Sequence, residues 1–194
     1  MVLGSHNSWS YLPPRRWWMK PIAFTARCQR VSIREQYERY GVRCFDLRVR
    51  FNEYGQGIVA HGIVEYCFTA SKIYEDLAWL EKKGDAYVRV IHEIRSFRQY
   101  EERRLDLFRH FCAQIESDYP NVRFWCGREL FGWGRDYQFD GDDPTCQEVY
   151  ASVCPPKIVD DWWPWLFARL HNRDIIAAGT SRNILLIDFV DIRE

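Results

Sequence analysis

No run in this sequence approaches the roughly 20 consecutive apolar residues needed to span a bilayer, so the 194 residues hold no transmembrane helix. No charge of one sign predominates, since 27 Lys and Arg face 27 Asp and Glu. That balance removes the electrostatic footprint by which a basic chain holds nucleic acid, and no nucleic-acid partner is expected. The seven cysteines, Cys28, Cys44, Cys67, Cys112, Cys126, Cys146 and Cys154, include no CxxC pair and are odd in number. Neither a zinc site of paired cysteines nor a disulfide framework is indicated. Reduced thiols in a cytoplasmic protein are the simpler expectation. The first motif begins at residue 4, which leaves no room for a signal peptide; a secreted chain whose signal peptide has been removed is the alternative. There is no internal repeat and no low-complexity tract.

What is abundant is aromatic. Nine Trp, eleven Tyr and twelve Phe accompany a hydrophobic content of 47%, enough to build one core over residues 1–194 as a single domain. The clearest element runs from Gly41 to Gly62 and reads as two strands joined by Tyr54-Gly55-Gln56-Gly57. In its first strand Phe45, Leu47, Val49 and Phe51 alternate with Cys44, Asp46, Arg48 and Arg50. An antiparallel sheet with one wet face explains that pattern. So does a barrel strand, whose outer face is covered by helices and whose inner face turns polar at an active-site mouth.

Along the chain, Ser32-Ile33-Arg34-Glu35 is a capping box opening a short helix that ends near Gly41. Residues 69–83 carry Ile73, Leu77 and Leu80 at helical spacing, with Gly84 as the stop. Residues 86–94 form a strand, residues 98–117 an amphipathic helix, and residues 122–126 another strand. Thr145-Cys146-Gln147-Glu148 reads as the cap of a short helix, Pro164 opens a helix towards Ala178, and residues 183–190 are the last strand. Strands alternating with helices predict a parallel sheet. Between the first strand and the capping box, Trp17 and Trp18 stand among Arg15, Arg16 and Lys20. Such a loop suits a membrane interface, with Trp at headgroup level and cations against lipid phosphates; the competing reading is a packed lid with buried Trp.

Three histidine- or arginine-bearing segments lie at strand ends: Gly4-Ser5-His6-Asn7-Ser8, Cys44-Phe45-Asp46-Leu47-Arg48 and Ala60-His61-Gly62. Two imidazoles can act as base and acid near neutral pH, and a guanidinium can neutralise phosphoryl oxygens. With Ile184-Leu185-Leu186-Ile187-Asp188-Phe189 as a fourth segment, these resemble, in order and spacing, the X region of the phosphatidylinositol-specific phospholipase C family. The resemblance spans nearly the whole chain. It implies a compact, irregular TIM-type (β/α) barrel of the α/β class, trimmed from the roughly 250 residues usual for such a barrel.

The resemblance also assigns roles. His6 matches the general base, taking a proton from the inositol 2-hydroxyl, and His61 the general acid for the diacylglycerol oxygen. Arg48 matches the arginine that bacterial members place where eukaryotic ones hold calcium. Asp188 matches the carboxylate that orients the base, and Asp46 an acidic position beside the arginine and the second histidine. The implied product is an inositol cyclic phosphate, and the implied partner is a phosphoinositide or related phosphodiester. Arg128, Glu93 and Asn7 are candidate substrate contacts. The pattern departs at Asn7, where bacterial members carry Asp and eukaryotic ones a calcium-binding Asn. Asn7, Asp46 and Glu93 are thus the ligand set for Ca²⁺ if one is used; the fixed charge of Arg48 favours catalysis without a cofactor. Glu93 has the plainer alternative of pairing with Arg89 or Arg95. His92, His110 and His171 show no partner and read as structural. Two rival functions remain: a glycerophosphodiester phosphodiesterase-like enzyme, whose His-Arg-Gly opening is missing here, and a catalytically silent barrel that binds membrane or protein.

Overall fold

The computed structural model describes residues 1–93, 102–127, 136–141, 143–151 and 163–192. Eight strands among the described residues belong to one sheet. Six of them run parallel: β7 (Cys146–Val149), β8 (Ile184–Ile187), β1 (Val2–Ser5), β2 (Cys44–Phe51), β5 (Tyr87–His92) and β6 (Arg123–Cys126), in that spatial order. Beyond the end of β1, the upper half of β2 pairs antiparallel with β3 (Gly57–His61), which pairs with β4 (Val64–Phe68). Among the described residues β6 and β7 have no pairing with each other, so the sheet curls into an open barrel rather than closing.

Helices cover the outer face. The expected alternation in β2 holds: Phe45, Leu47, Val49 and Phe51 pack outward in the main core with Ile73, Leu77 and Leu80 of α2 (Thr69–Lys83) and Phe108, Phe111 and Ile115 of α3 (Glu102–Asp118). The inner face carries Cys44, Trp125, Tyr150, Ile184 and Leu186 as a second apolar cluster, with Asp46, Arg48, Arg89 and Asp188 above it, all buried. Asp46 faces Arg89 on the parallel neighbour β5 and Arg48 on its own strand, while Asp188 meets His6, so the burial that isolates these charges also pairs them.

The interior is narrow. A Cβ on Gly4 would lie 2.5 Å from Leu186 Cδ2 and 3.1 Å from Cys44 Cβ. Gly4→Ala therefore requires the buried Leu186 side chain, or β1 itself, to shift in a filled interior. The expected loss is about 1–3 kcal/mol, the usual cost of overpacking, read as a lowered midpoint in urea unfolding. A midpoint unchanged from the parent would contradict this packing.

Several local signals act as expected. The Ser32–Glu35 capping box forms at the start of α1 (Ile33–Glu38), Gly84 ends α2 at φ 73°, and Pro164 opens α4 (Pro164–Ala178). The turn after β2 is tied by Asn52 Oδ1, which accepts from Tyr54 N and Gln56 N. Two readings are corrected. Thr145-Cys146-Gln147-Glu148 is not a helix cap: residues 146–149 are β7, held in register along β8. His92 and His171 are not without partners: His92 Nδ1 lies 2.9 Å from Asp136 Oδ2 and its ring stacks on Phe108, and the His171 ring lies 4.8 Å from that of Phe167. The sequence reading also passed over β4, which returns from His61 through a two-residue turn with Gly62 at φ 55°.

The tryptophan-rich segment forms a 3-10 helix, Trp17–Thr25. Trp17 is 75% and Trp18 52% exposed, so the packed lid does not form around them.

Candidate active site

The Gly4–Ser8 segment is built to aim one side chain. Ser8 Oγ donates to Ser5 O and accepts from Asp46 N, while Ser8 N donates to Asp46 O. These bonds clamp the end of β1 onto β2. Gln29 adds a third tie, donating through Nε2 to His6 O and Ile187 O and accepting Val190 N at Oε1. His6 is thereby fixed at the mouth of the sheet between β2 and β8.

Both ring nitrogens of His6 are engaged. Arg48 Nη2 donates to Nε2 at 2.8 Å, which places the ring proton on Nδ1, and Nδ1 donates to Asp188 Oδ1 at 2.7 Å. Burial first, then Arg48, holds His6 well below the usual histidine range. Burial pushes the Asp188 carboxyl up to about 8. A carboxylate of such proton affinity gains most when the imidazole beside it becomes charged. The Asp188 turn is itself held from below by Asn172 of α4, whose Nδ2 donates to Asp188 O and Phe189 O.

His61 ends β3 and is only partly buried. Its Nδ1 donates to Ala26 O at 2.9 Å, which leaves Nε2 as the free nitrogen. Burial and then Arg48 lower its pKa also. The His61 ring meets His6 edge to face, with centroids 5.3 Å apart.

Arg48 lies among carboxylates. Its Nε donates to Asp46 Oδ2 at 2.9 Å, and its Nη1 is 3.5 Å from Glu93 Oε2. Asp46 also accepts from Asn7 N at 2.9 Å and from Arg89 Nε at 2.7 Å. Burial would raise this carboxyl, but Arg48 and Arg89 together hold it below the usual carboxylate range. Arg89 continues the chain of charge to Glu148 Oε1 at 2.6 Å.

Seven of the eight candidates fall within the described residues, and all seven gather at this mouth. Three details differ from expectation. Asp46 sits against Arg48, Arg89 and the first histidine, its Oδ2 3.9 Å from His6 Nε2, not the second. Glu93 pairs with Arg48 and accepts Gly62 N at 2.8 Å; it does not pair with Arg89, whose guanidinium turns to Asp46 and Glu148. Asn7 lends its backbone to Asp46, while both ends of its buried side-chain amide have no hydrogen-bond partner among the described residues. Arg128 and Arg95 lie outside the described residues.

The calcium set does not fit. Asn7 Oδ1 is free, but each Asp46 oxygen already accepts from a guanidinium, and Arg48 places a fixed charge between Asp46 and Glu93.

Sequence reasoning missed four members. Tyr150 stacks on His6 with centroids 3.6 Å apart and planes 3° from parallel, and its hydroxyl is bonded to Glu148. Arg89 and Glu148 join it in one network. The signal was present in β7, where Cys146, Glu148 and Tyr150 alternate inward once the segment is taken as a strand. Cys28 is the fourth, its Sγ 3.6 Å from His61 Nδ1.

No family model matches the chain, and no curated protein matches it in sequence. Solved structures do. A mutant of the phosphatidylinositol-specific phospholipase C from Staphylococcus aureus superposes with a TM-score of 0.62 at 15% identity, covering 97% of this chain and 84% of that one. A double mutant of the same enzyme gives 0.63 at 14% identity, with 97% and 84% covered. Another structure of it, from work on modulating its membrane binding, gives 0.60 at 15% identity over 97% and 85%. Identity this low speaks to the backbone: the chain has the irregular (β/α) barrel fold of phosphatidylinositol-specific phospholipase C.

Proposed function

We propose that the chain is a phosphodiesterase of the phosphatidylinositol phospholipase C type, working by general acid–base catalysis without a metal. One observation carries the reading: two imidazoles of opposite duty meet 5.3 Å apart at the mouth of the sheet, with the Arg48 guanidinium against the first. His6 Nε2 takes the proton from a hydroxyl neighbouring the diester. The oxygen attacks phosphorus while Arg48 turns from His6 to the phosphoryl oxygens, its charge kept by Asp46 and Glu93. His61, protonated at Nε2, gives that proton to the leaving alcohol oxygen. The products are a cyclic phosphate and an alcohol, which for phosphatidylinositol is diacylglycerol. The unpaired amide of Asn7 offers a donor and an acceptor to a substrate oxygen, a use that offsets the desolvation cost of leaving it bare.

This order of roles sets a pH dependence. The acid must be protonated in the free enzyme, and the His61 pKa lies below its ordinary 6.5. Activity therefore falls as pH rises through that lowered value, while His6 is already unprotonated there. The kcat/KM profile should peak on the acid side of neutrality, since it reports the free enzyme's groups. An optimum above neutrality would contradict the assignment of His61.

The exposed Trp17 and Trp18, with Arg16 over the Trp18 ring, support contact with a lipid surface at the same mouth. Trp17→Ala and Trp18→Ala should each weaken sedimentation with phosphatidylinositol vesicles by roughly tenfold, about 1.4 kcal/mol per ring. Unchanged partitioning would place these rings elsewhere. The proposal as a whole is tested by incubating such vesicles with the protein and measuring water-soluble phosphoinositol. Release supports it; no release with phosphatidylinositol would exclude that substrate.

A further inference from the structure

Cysteine spacing argued against zinc, yet the fold brings a thiol between the two histidines. One ring nitrogen of His6, Cys28 Sγ and one ring nitrogen of His61 all lie within 4.8 Å of one another. Cys28 follows the 3-10 helix, and its backbone is pinned by Ser10 Oγ, which accepts from Cys28 N and Gln29 N. The thiol and His61 Nδ1 converge on the same carbonyl, that of Ala26, at 3.6 and 2.9 Å.

The spacing suits a tetrahedral ion. With zinc–sulfur at about 2.3 Å and zinc–nitrogen at about 2.0–2.1 Å, sulfur and nitrogen ligands stand about 3.6 Å apart. Cys28 Sγ and His61 Nδ1 are 3.6 Å apart before any ion arrives. The surroundings are formally anionic: Asp46, Glu93 and Glu148 outnumber Arg48 and Arg89. His61 is the member that reaches solvent and gives an ion its way in. Two nitrogens and one sulfur favour a borderline-soft cation over calcium or magnesium.

We propose that His6, Cys28 and His61 form an inhibitory site for zinc or a divalent cation of like softness. Binding releases the thiol proton, the His6 nitrogen that takes the metal gives up its bond to Arg48 or Asp188, and the His61 proton passes from Nδ1 to Nε2 as Nδ1 takes the metal. The ion then holds both imidazoles, so neither cycles a proton and turnover stops. The binding site stands on geometry alone; the inhibition rests on the phosphodiesterase reading above.

Cobalt(II) separates the two. Titrating the metal-stripped protein with Co²⁺ should give, at one equivalent, a near-ultraviolet thiolate-to-cobalt band that Zn²⁺ removes. In Cys28→Ala that band should vanish, and zinc affinity measured against a chromogenic chelator should fall at least about 100-fold, a ligand mattering no less than its outer shell. Cys28→Ser serves if the alanine variant fails to fold. No band at one equivalent, or an equal band without Cys28, would overturn the site whatever the activity. Where turnover is measurable, Zn²⁺ should inhibit reversibly with EDTA. Stoichiometric cobalt binding with undiminished turnover would overturn the inhibitory role and leave the phosphodiesterase reading untouched.

Discussion

Replacing His61 by Ala should lower kcat on phosphatidylinositol by about 10²–10⁴-fold, the usual contribution of a positioned acid or base. The fold should survive, because the ring is only partly buried and its one backbone bond goes to Ala26 O. His6→Ala should cost as much turnover and some stability besides. That ring lies under Tyr150 and partners both Arg48 and Asp188, so its loss strands two buried polar groups, about 1–3 kcal/mol each. The two effects should not add: once either proton carrier is gone the concerted path is closed, and the double variant should resemble the singles. Steady-state assays of folded variants decide this. Normal turnover in either single variant would remove that histidine from the mechanism.

Asp46→Ala should be the most destabilising single change at the site. Asp46 is fully buried and takes hydrogen bonds from Arg48 and Arg89, both buried. Removing it leaves two guanidiniums facing each other with only Glu93 and Glu148 at their far ends as counter-charges, a loss of about 3–5 kcal/mol by analogy with other broken buried pairs. For a chain of this size that is a fall of about 6–20 °C in Tm, followed by circular dichroism. The pH sign is fixed by the depressed carboxyl. A group whose folded pKa is lowered contributes stability above its unfolded pKa, about 3.9 for Asp, and loses it as pH falls through the folded value. The wild-type advantage over Asp46→Ala should therefore persist from neutrality to about pH 4 and shrink only in stronger acid. A Tm within about 2 °C of wild type would show that the arginines relax to other partners.

How much of this was legible depended on whether a signal was local. The alternation in β2 announced its own two faces, and the Ser32–Glu35 box and Gly84 set helix ends through bonds made within a few residues. β7 misled for the same reason. Its Thr-x-x-Glu spacing imitates a helix cap, and only pairing along β8 overrides it. That error hid Glu148 and Tyr150, since their inward direction follows from strand geometry. Cys28 was invisible in another way: no spacing connects it to His6 and His61, which the turn of the sheet brings to it. Arg89 was read as a possible partner of Glu93 because they share a strand face, yet its bond to Asp46 crosses from β5 to β2.

The central claim is internal attack by a neighbouring hydroxyl, driven by His6, Arg48 and His61 alone. Phosphorus NMR of phosphatidylinositol micelles with the protein in excess EDTA tests it most directly. The account predicts a cyclic phosphate resonance growing at the expense of the diester, absent with His61→Ala. No cyclic phosphate in EDTA, with product appearing only after Ca²⁺ is added, would contradict it and shift the chemistry from Arg48 to a bound metal.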